Sequence, residues 1–460
     1  MALKSKNAAP AAKQIAKEDQ APLTDTSRPP PIYLAWAIWG LGATFFLFAF
    51  YQRVAPAVMA EVLMSEFRLS ATALGNLSAF YFYSYVFMQL PTGLMADRWG
   101  PRRLLTVGAV VAGLGSLLVG LAPTLWWANA GRLLIGGSVA VAFVATLQLA
   151  GRWLPPSQFS LTSGLTTLVG VIGAVFAGVP LQIAISQFGW RPVMVASAML
   201  PFVLAVGTWL FVRDTPQEKG YANYQWAGVE PAARPPRMLV RIRQVFQYRN
   251  SWLLTFIPGG IVGSLLTFSG LWGVPFLQTH YQRSPSQAAT LATMLLVIWA
   301  LSGPVWGTYS DRIGRRKPVY LVGCTGVLAG WALLIFIPNL PVWLLVTILA
   351  GTGLASGCMM AGYGFMRESV PSHLSGTAVG LYNTGVVFGP MVLQPAVGWM
   401  LDQRWQGEQI GAVKVYGLAA YQAGFALMFG WVILSLLLLL LTKETYGRPL
   451  ATEMQVMREI

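Results

Sequence analysis

Apolar runs recur along the whole chain, separated by short polar turns. Five of them, at 104–122, 192–212, 318–338, 341–366 and 418–442, contain no charged residue. At a rise of about 1.5 Å per residue, such a run crosses a hydrocarbon core of roughly 30 Å. In lipid the backbone must bond to itself, and these runs are continuous where barrel strands would alternate, so the pattern predicts helices. Further spans near 32–56, 69–96, 124–151, 160–187, 251–279, 286–309 and 376–401 bring the predicted total to twelve. The fold class is an all-α membrane protein.

Composition agrees with this reading. Mean hydropathy is +0.57 and charged residues make up only 10%, too few to cover the surface of a soluble domain of this length. The segment ahead of the first span carries Lys4, Lys6, Lys13, Lys17 and Arg28-Pro29-Pro30-Pro31. It is long, its apolar stretch outruns a signal core, and no clean small-x-small site follows, so the first span is expected to be retained.

The net charge of +15 would suit a nucleic-acid binder if it were clustered on one domain, but it follows the loops. With both termini cytoplasmic, inside segments hold 24 of the 31 Lys and Arg, while outside loops hold Arg68, Arg191, Arg283, Arg404 and Lys414. That is the positive-inside pattern, which sets topology and leaves no part for nucleic acid. The expected location is the cell inner membrane, multi-pass.

Cys324 and Cys358 fall inside apolar spans, where thiols act as small hydrophobes. His280 and His373 fall in predicted loops. No nucleophile, metal-ligand or phosphate-loop pattern stands out, so no enzyme, metal or cofactor is expected.

The strongest organisational signal is a repeat. Residues 93–105 read GLMADRWGPRRLL and residues 307–319 read GTYSDRIGRRKPV, with Asp97 and Asp311 standing 214 residues apart. RWLPPSQFSLTSGL from Arg152 likewise matches RESVPSHLSGTAVGL from Arg367, 215 residues later. Two matches at one offset predict two six-helix bundles, 32–212 and 251–442. Around them lie a tail at 1–31 expected to be disordered, a cytoplasmic linker at 213–250, and a second tail at 443–460. Within the linker, Met238, Leu239, Ile242, Val245 and Phe246 share one helical face with arginines opposite, as in a helix lying on a membrane surface.

Twelve helices in two repeated halves, with G-x-x-x-D-R-x-G-x-R-R after the second and eighth, resemble the major facilitator superfamily over residues 32–442. The resemblance implies a monomeric secondary transporter whose halves rock around a midplane site. It also implies that the duplicated motif (Gly93, Asp97, Arg98, Arg102, Gly307, Asp311, Arg312 and Arg315) latches the cytoplasmic side in the outward-facing state. Gly93 and Gly307 would admit a neighbouring helix, and the aspartates would meet arginines or a helix N-terminus.

FAFYQRVAP places Arg53 inside a span, where an arginine costs at least about 2.5 kcal/mol at a helix centre. It either faces the central cavity or snorkels to the outer interface. The surroundings of Arg53, the YFYSYVFMQLP stretch and VGLYNTGVVFGP resemble the anion:cation symporter and phagosomal-transporter branches, which move small organic anions and amino acids. That resemblance marks Arg53, Tyr85 and Asn383 as substrate residues. It gives Arg132 a coupling or structural role, and Val139 stands where some relatives carry a protonatable acid. Trp272 either lines the cavity or packs.

The expected function is proton-linked uptake of an organic anion or amino-acid-like metabolite, with a coupling proton and the lipid bilayer as the other partners. A siderophore carrier and a drug or metabolite efflux antiporter are alternatives, although GVIGAVFAGVPLQ lacks the G-P-x-x-G-G cluster of such antiporters. A non-transporting sensor is a further one. Predicted spans hold carboxylates only near their ends, at Asp97, Asp311, Glu61, Glu66 and Asp402. Three coupling routes follow: the substrate brings its own proton, an end carboxylate such as Glu61 titrates, or anions are exchanged.

Overall fold

The computed structural model describes residues 28–222, 238–410 and 413–448. The tail at 1–27, linker residues 223–237 and residues 449–460 lie outside the described residues, so most of the tail and linker expectations do too. Helix α1 runs Ile32–Val54 and restarts at Pro56–Phe67. Helices α2 (71–99) and α3 (101–120) are one long helix broken at Gly100, whose φ of 77° only glycine adopts without strain. Then come α4 Leu125–Trp153, α5 Pro156–Phe188, α6 Trp190–Phe211, α7 Arg249–Tyr281, α8 Pro285–Ile313, α9 Lys317–Phe336, α10 Val342–Glu368, α11 Ser372–Gln403 and α12 Leu418–Leu441. The only strands among the described residues are the short antiparallel pair Gln409–Ile410 and Val413–Lys414.

Among the described residues, eleven helices are long and apolar enough to cross a membrane by composition. The exception is α2, which is long enough but carries Asn76, Ser78, Tyr81, Tyr83, Ser84 and Tyr85. These polar and aromatic side chains suit a helix that faces an internal site. Tyr81 is fully buried, and its hydroxyl donates to the Ala49 carbonyl at 3.1 Å.

An even number of crossings puts the start of α1 and the end of α12 on one face, the terminal face; the opposite face is the distal one. The bundles meet over their distal halves. A Cβ on Gly75 of α2 would lie 2.6 Å from the Gln394 carbonyl of α11, and one on Gly178 of α5 would lie 2.3 Å from Thr293 Oγ1 of α8. The hydrogen bonds described between the bundles all converge on Asp402 and Tyr416. On the terminal face, by contrast, a cavity of about 250 Å³ opens beside Asp311, Tyr363 and Arg367.

One expectation is corrected. His280 is no loop residue: it ends α7, half-buried between Phe276 and Tyr421, with ring centroids 5.5 and 5.2 Å away. The linker residues Met238–Val245 form a helix, with Val245 buried and Leu239 78% exposed. In this conformation Gly93 and Gly307 have open space around them: among the described residues nothing lies within 4 Å of a Cβ at Gly93, and at Gly307 Met360 lies at 3.8 Å. Both sit toward the terminal face, where no opposing helix is drawn against them.

Candidate functional site

The central site starts from a proline. Pro56 has no N–H to give the carbonyl of Gln52 four residues earlier, so that carbonyl is free inside the bundle. Arg132 of α4 fills it, with Nη1 donating to Gln52 O at 2.6 Å and Nη2 to Ser78 O at 3.2 Å. The Gln52 amide in turn donates to Ser116 Oγ at 3.0 Å. Arg132 thereby staples α1, α2 and α4 together from a position only 4% exposed.

Arg53, the next residue along α1, is placed differently. It is 5% exposed, its Nε has no hydrogen-bond partner, and no ion pair holds it among the described residues. Its guanidinium carbon lies 4.5 Å from the Phe50 ring centroid, 5.2 Å from Tyr85 and 5.8 Å from Tyr81. The Tyr81 ring also lies 5.1 Å from Arg132, so it separates two buried cations. Arg53 therefore does not snorkel to an interface. Aromatic faces soften a buried guanidinium but do not neutralise it.

The second bundle supplies the other wall. Tyr363 of α10 donates its hydroxyl to Asn383 Oδ1 of α11 at 2.8 Å and stacks edge-on against Tyr382, 4.6 Å between centroids. Arg53 is thus placed beside Tyr85 in the first bundle, and Asn383 beside Tyr363 in the second. Trp272 joins neither pair: it is 1% exposed and donates its indole N–H to the Gln394 carbonyl at 3.0 Å, packed at the end of a π-helical turn, Phe268–Trp272. Sequence reasoning missed Tyr363, which looks like an ordinary aromatic residue of an apolar run.

On the terminal face each bundle satisfies its motif internally. The Asp214 carboxylate accepts the Arg102 N–H at the start of α3 at 2.8 Å, and the Arg102 guanidinium donates to Trp209 O at 2.6 Å. In the second bundle Glu444 accepts the N–H groups of Arg316 and Lys317 at 3.0 and 2.9 Å, capping α9. Arg316 is paired with Asp311 and, at 2.7 Å, with Glu368, a buried carboxylate that the sequence count of span-end acids left out. Burial works against the charge on Arg316, but Glu368 and Asp311 outweigh it and hold its pKa above the ordinary arginine value. Arg98 and Arg312 are exposed, Arg315 lies 5.9 Å from the Tyr446 ring, and the side chain of Asp97 lies outside the described residues.

On the distal face, Asp402 at the end of α11 caps the first turn of α2. It accepts the N–H groups of Ala71 and Thr72 at 3.2 and 2.8 Å, and the hydroxyls of Thr72 and Tyr416 at 2.6 and 2.8 Å. Burial and the facing carboxylate raise the Tyr416 pKa, keeping it a neutral donor. Glu61 is exposed, and Glu66 serves within its own bundle, bonding Arg191 Nε at 2.7 Å.

Comparison with known proteins agrees with this architecture. The family model of the Major Facilitator Superfamily matches residues 41–276 and 266–456. The probable sulfoacetate transporter SauU of Cupriavidus necator is 23% identical over 387 residues, covering 80% of this chain and 87% of that protein. The gentisate transporter of Corynebacterium glutamicum is 25% identical over 378 residues, covering 78% of this chain and 81% of its own. Among solved structures, a bacterial homologue of the human lysosomal transporter Spinster, inward-facing and occupied, superposes with a TM-score of 0.69 at 17% identity. That match covers 90% of this chain and 97% of the other.

Proposed function

The chain belongs to the Major Facilitator Superfamily, and on that premise we propose that its central site carries a small organic anion across the membrane by alternating access. The observation that carries this reading is Arg53, a 5% exposed cation with no acid beside it among the described residues. A buried charge is tolerated when a counter-charge arrives, and a carboxylate or sulfonate matches the guanidinium fork in shape and hydrogen bonding. Tyr85 flanks the anionic group, and the Tyr363–Asn383 pair receives the polar end of the molecule from the opposite bundle. Arg132 is structural in this scheme, because its two Nη groups are spent on backbone carbonyls.

Sulfoacetate and gentisate, named for two relatives, are organic anions and make the first ligands to try. With the terminal face taken as cytoplasmic, the structure corresponds to an inward-open state: the distal clasp of Asp402 is made and the terminal-face motifs are turned into their own bundles. The duplicated motif then acts as a latch only in the opposite, outward-open state. Uptake is driven by protons that travel with the anion, since no carboxylate is described at the midplane. A thermal-shift screen of the purified transporter against carboxylates, sulfonates, amino acids and siderophores tests the class. Stabilisation by monoanions that bear a second polar group supports the reading, and stabilisation by cations or siderophores alone overturns it.

A further inference from the structure

The repeated motif is not used alike in the two bundles. Lys317 of the second copy spends its ammonium on the Leu440 and Thr442 carbonyls at 2.8 and 2.7 Å. Arg103, at the equivalent place in the first copy, is exposed and makes no hydrogen bond or ion pair among the described residues, and the same holds for Arg98. These two arginines flank the Gly100-Pro101 turn and adjoin Trp99 and Leu104, which line an apolar groove of about 330 Å³.

The groove lies between α2, α3 and α4 on the outside of the first bundle. Phe87 and Met95 of α2 form one wall, Val107 of α3 the floor, and Leu134 and Val141 of α4 the other wall. Phe87 is 74% exposed and Val107 is 49% exposed, so the trough faces outward from the bundle. An apolar trough that runs along these helices to Trp99 and Leu104, the chain neighbours of two exposed arginines without described partners, has the charge and shape of a single molecule: a chain attached to a phosphate. Guanidiniums grip phosphate oxygens bidentately, and basic residues at the membrane surface favour anionic lipids.

We propose that this groove is a binding site for one anionic phospholipid, its acyl chain along α2–α4 and its phosphate held by Arg98 and Arg103. The site is separate from the transport pathway, and its occupancy braces α2 and α3 on either side of the Gly100 break. Because Lys317, the counterpart of Arg103, is already satisfied and leaves Arg312 alone, the lipid is asymmetric, serving one bundle.

Native mass spectrometry of the full chain, released from detergent with added phosphatidylglycerol or phosphatidylcholine, tests the site. Wild type is expected to retain one phosphatidylglycerol over phosphatidylcholine by roughly tenfold or more. Arg98→Gln with Arg103→Gln removes that preference. Gly137→Leu fills the groove, since a Cβ there meets only Ser84 Cβ, at 3.4 Å, and later Met88 and Ser84 atoms, and it lowers retention of both lipids. Soluble glycerol 3-phosphate, which lacks a chain, leaves the bound lipid in place. Equal retention of the two lipids by wild type, an unchanged preference in the double arginine variant, or displacement by glycerol 3-phosphate overturns the proposal.

Discussion

Thr72 and Asp402, 330 residues apart, are joined by two hydrogen bonds: the Thr72 N–H reaches Oδ2 at 2.8 Å and its hydroxyl reaches the same oxygen at 2.6 Å. The carboxylate of one bundle thus caps the helix that opens the other, where its charge also meets the positive end of the helix dipole. Hydrogen bonds to a charged group contribute about 1.5–3 kcal/mol each. Asp402→Asn keeps the shape but removes the charge, so it is expected to shift the population toward a distal-open state by roughly tenfold or more. Spin labels at the exposed positions Ser65 and Gln403 read this directly as a longer distance distribution; an unchanged distribution contradicts the clasp.

Gly75 gives an independent handle on the same closure. A side chain there meets backbone atoms of Gln394 and Pro395 at 2.6–2.8 Å, which cannot move aside as a flexible side chain would. Gly75→Val is expected to fold, to bind ligand from the distal side and to lose most transport because the distal face no longer closes. Full transport by this variant would mean that α2 and α11 do not pack this tightly during the cycle.

The terminal-face motif separates stability from transport. Arg316 and Glu368 are 8% and 2% exposed, and removing one partner of such a buried pair costs about 3–5 kcal/mol. Glu368→Gln is therefore expected to lower the thermal unfolding midpoint clearly. Asp311 is 69% exposed, and exposed pairs contribute only about 0–1 kcal/mol, so Asp311→Asn should leave the midpoint nearly unchanged. If Asp311 latches the outward-open state, its variant slows transport while ligand affinity is kept. Equal unfolding midpoints for the two variants would contradict this division.

How far the sequence carried these points depends on whether a residue acts within its own segment. The spans were legible because lipid forces every backbone group to bond within a helix, so length and apolarity decide. The break at Gly100 was signalled by Gly100-Pro101, and Arg53 by the cost of burying it. The role of Asp402 was not legible: a carboxylate at the end of α11 looks solvated until the start of α2 is brought against it. Tyr363 and Glu368 were missed for the same reason, since their partners Asn383 and Arg316 are neighbours only in the folded bundle. Pro56 could have been read further, because a proline always strips the donor from the carbonyl four residues back.

Coupling has its own test. Moving a monoanion inward against an inside-negative potential costs about 2.3 kcal/mol per 100 mV, so a companion cation or an exchanged anion is required. In reconstituted vesicles an inward proton gradient alone is expected to drive accumulation without internal anion. Uptake that needs preloaded anion and ignores the proton gradient would replace symport by exchange.

If Arg53 receives the anionic group, a calorimetric titration of wild type and Arg53→Lys with the tightest-binding carboxylate or sulfonate will separate the two proteins. Lysine keeps the charge but loses the planar fork, so its affinity is expected to be weaker by on the order of 10–100-fold, with an unchanged unfolding midpoint for the empty protein. Wild-type affinity in a folded Arg53→Lys or Arg53→Ala variant would contradict it.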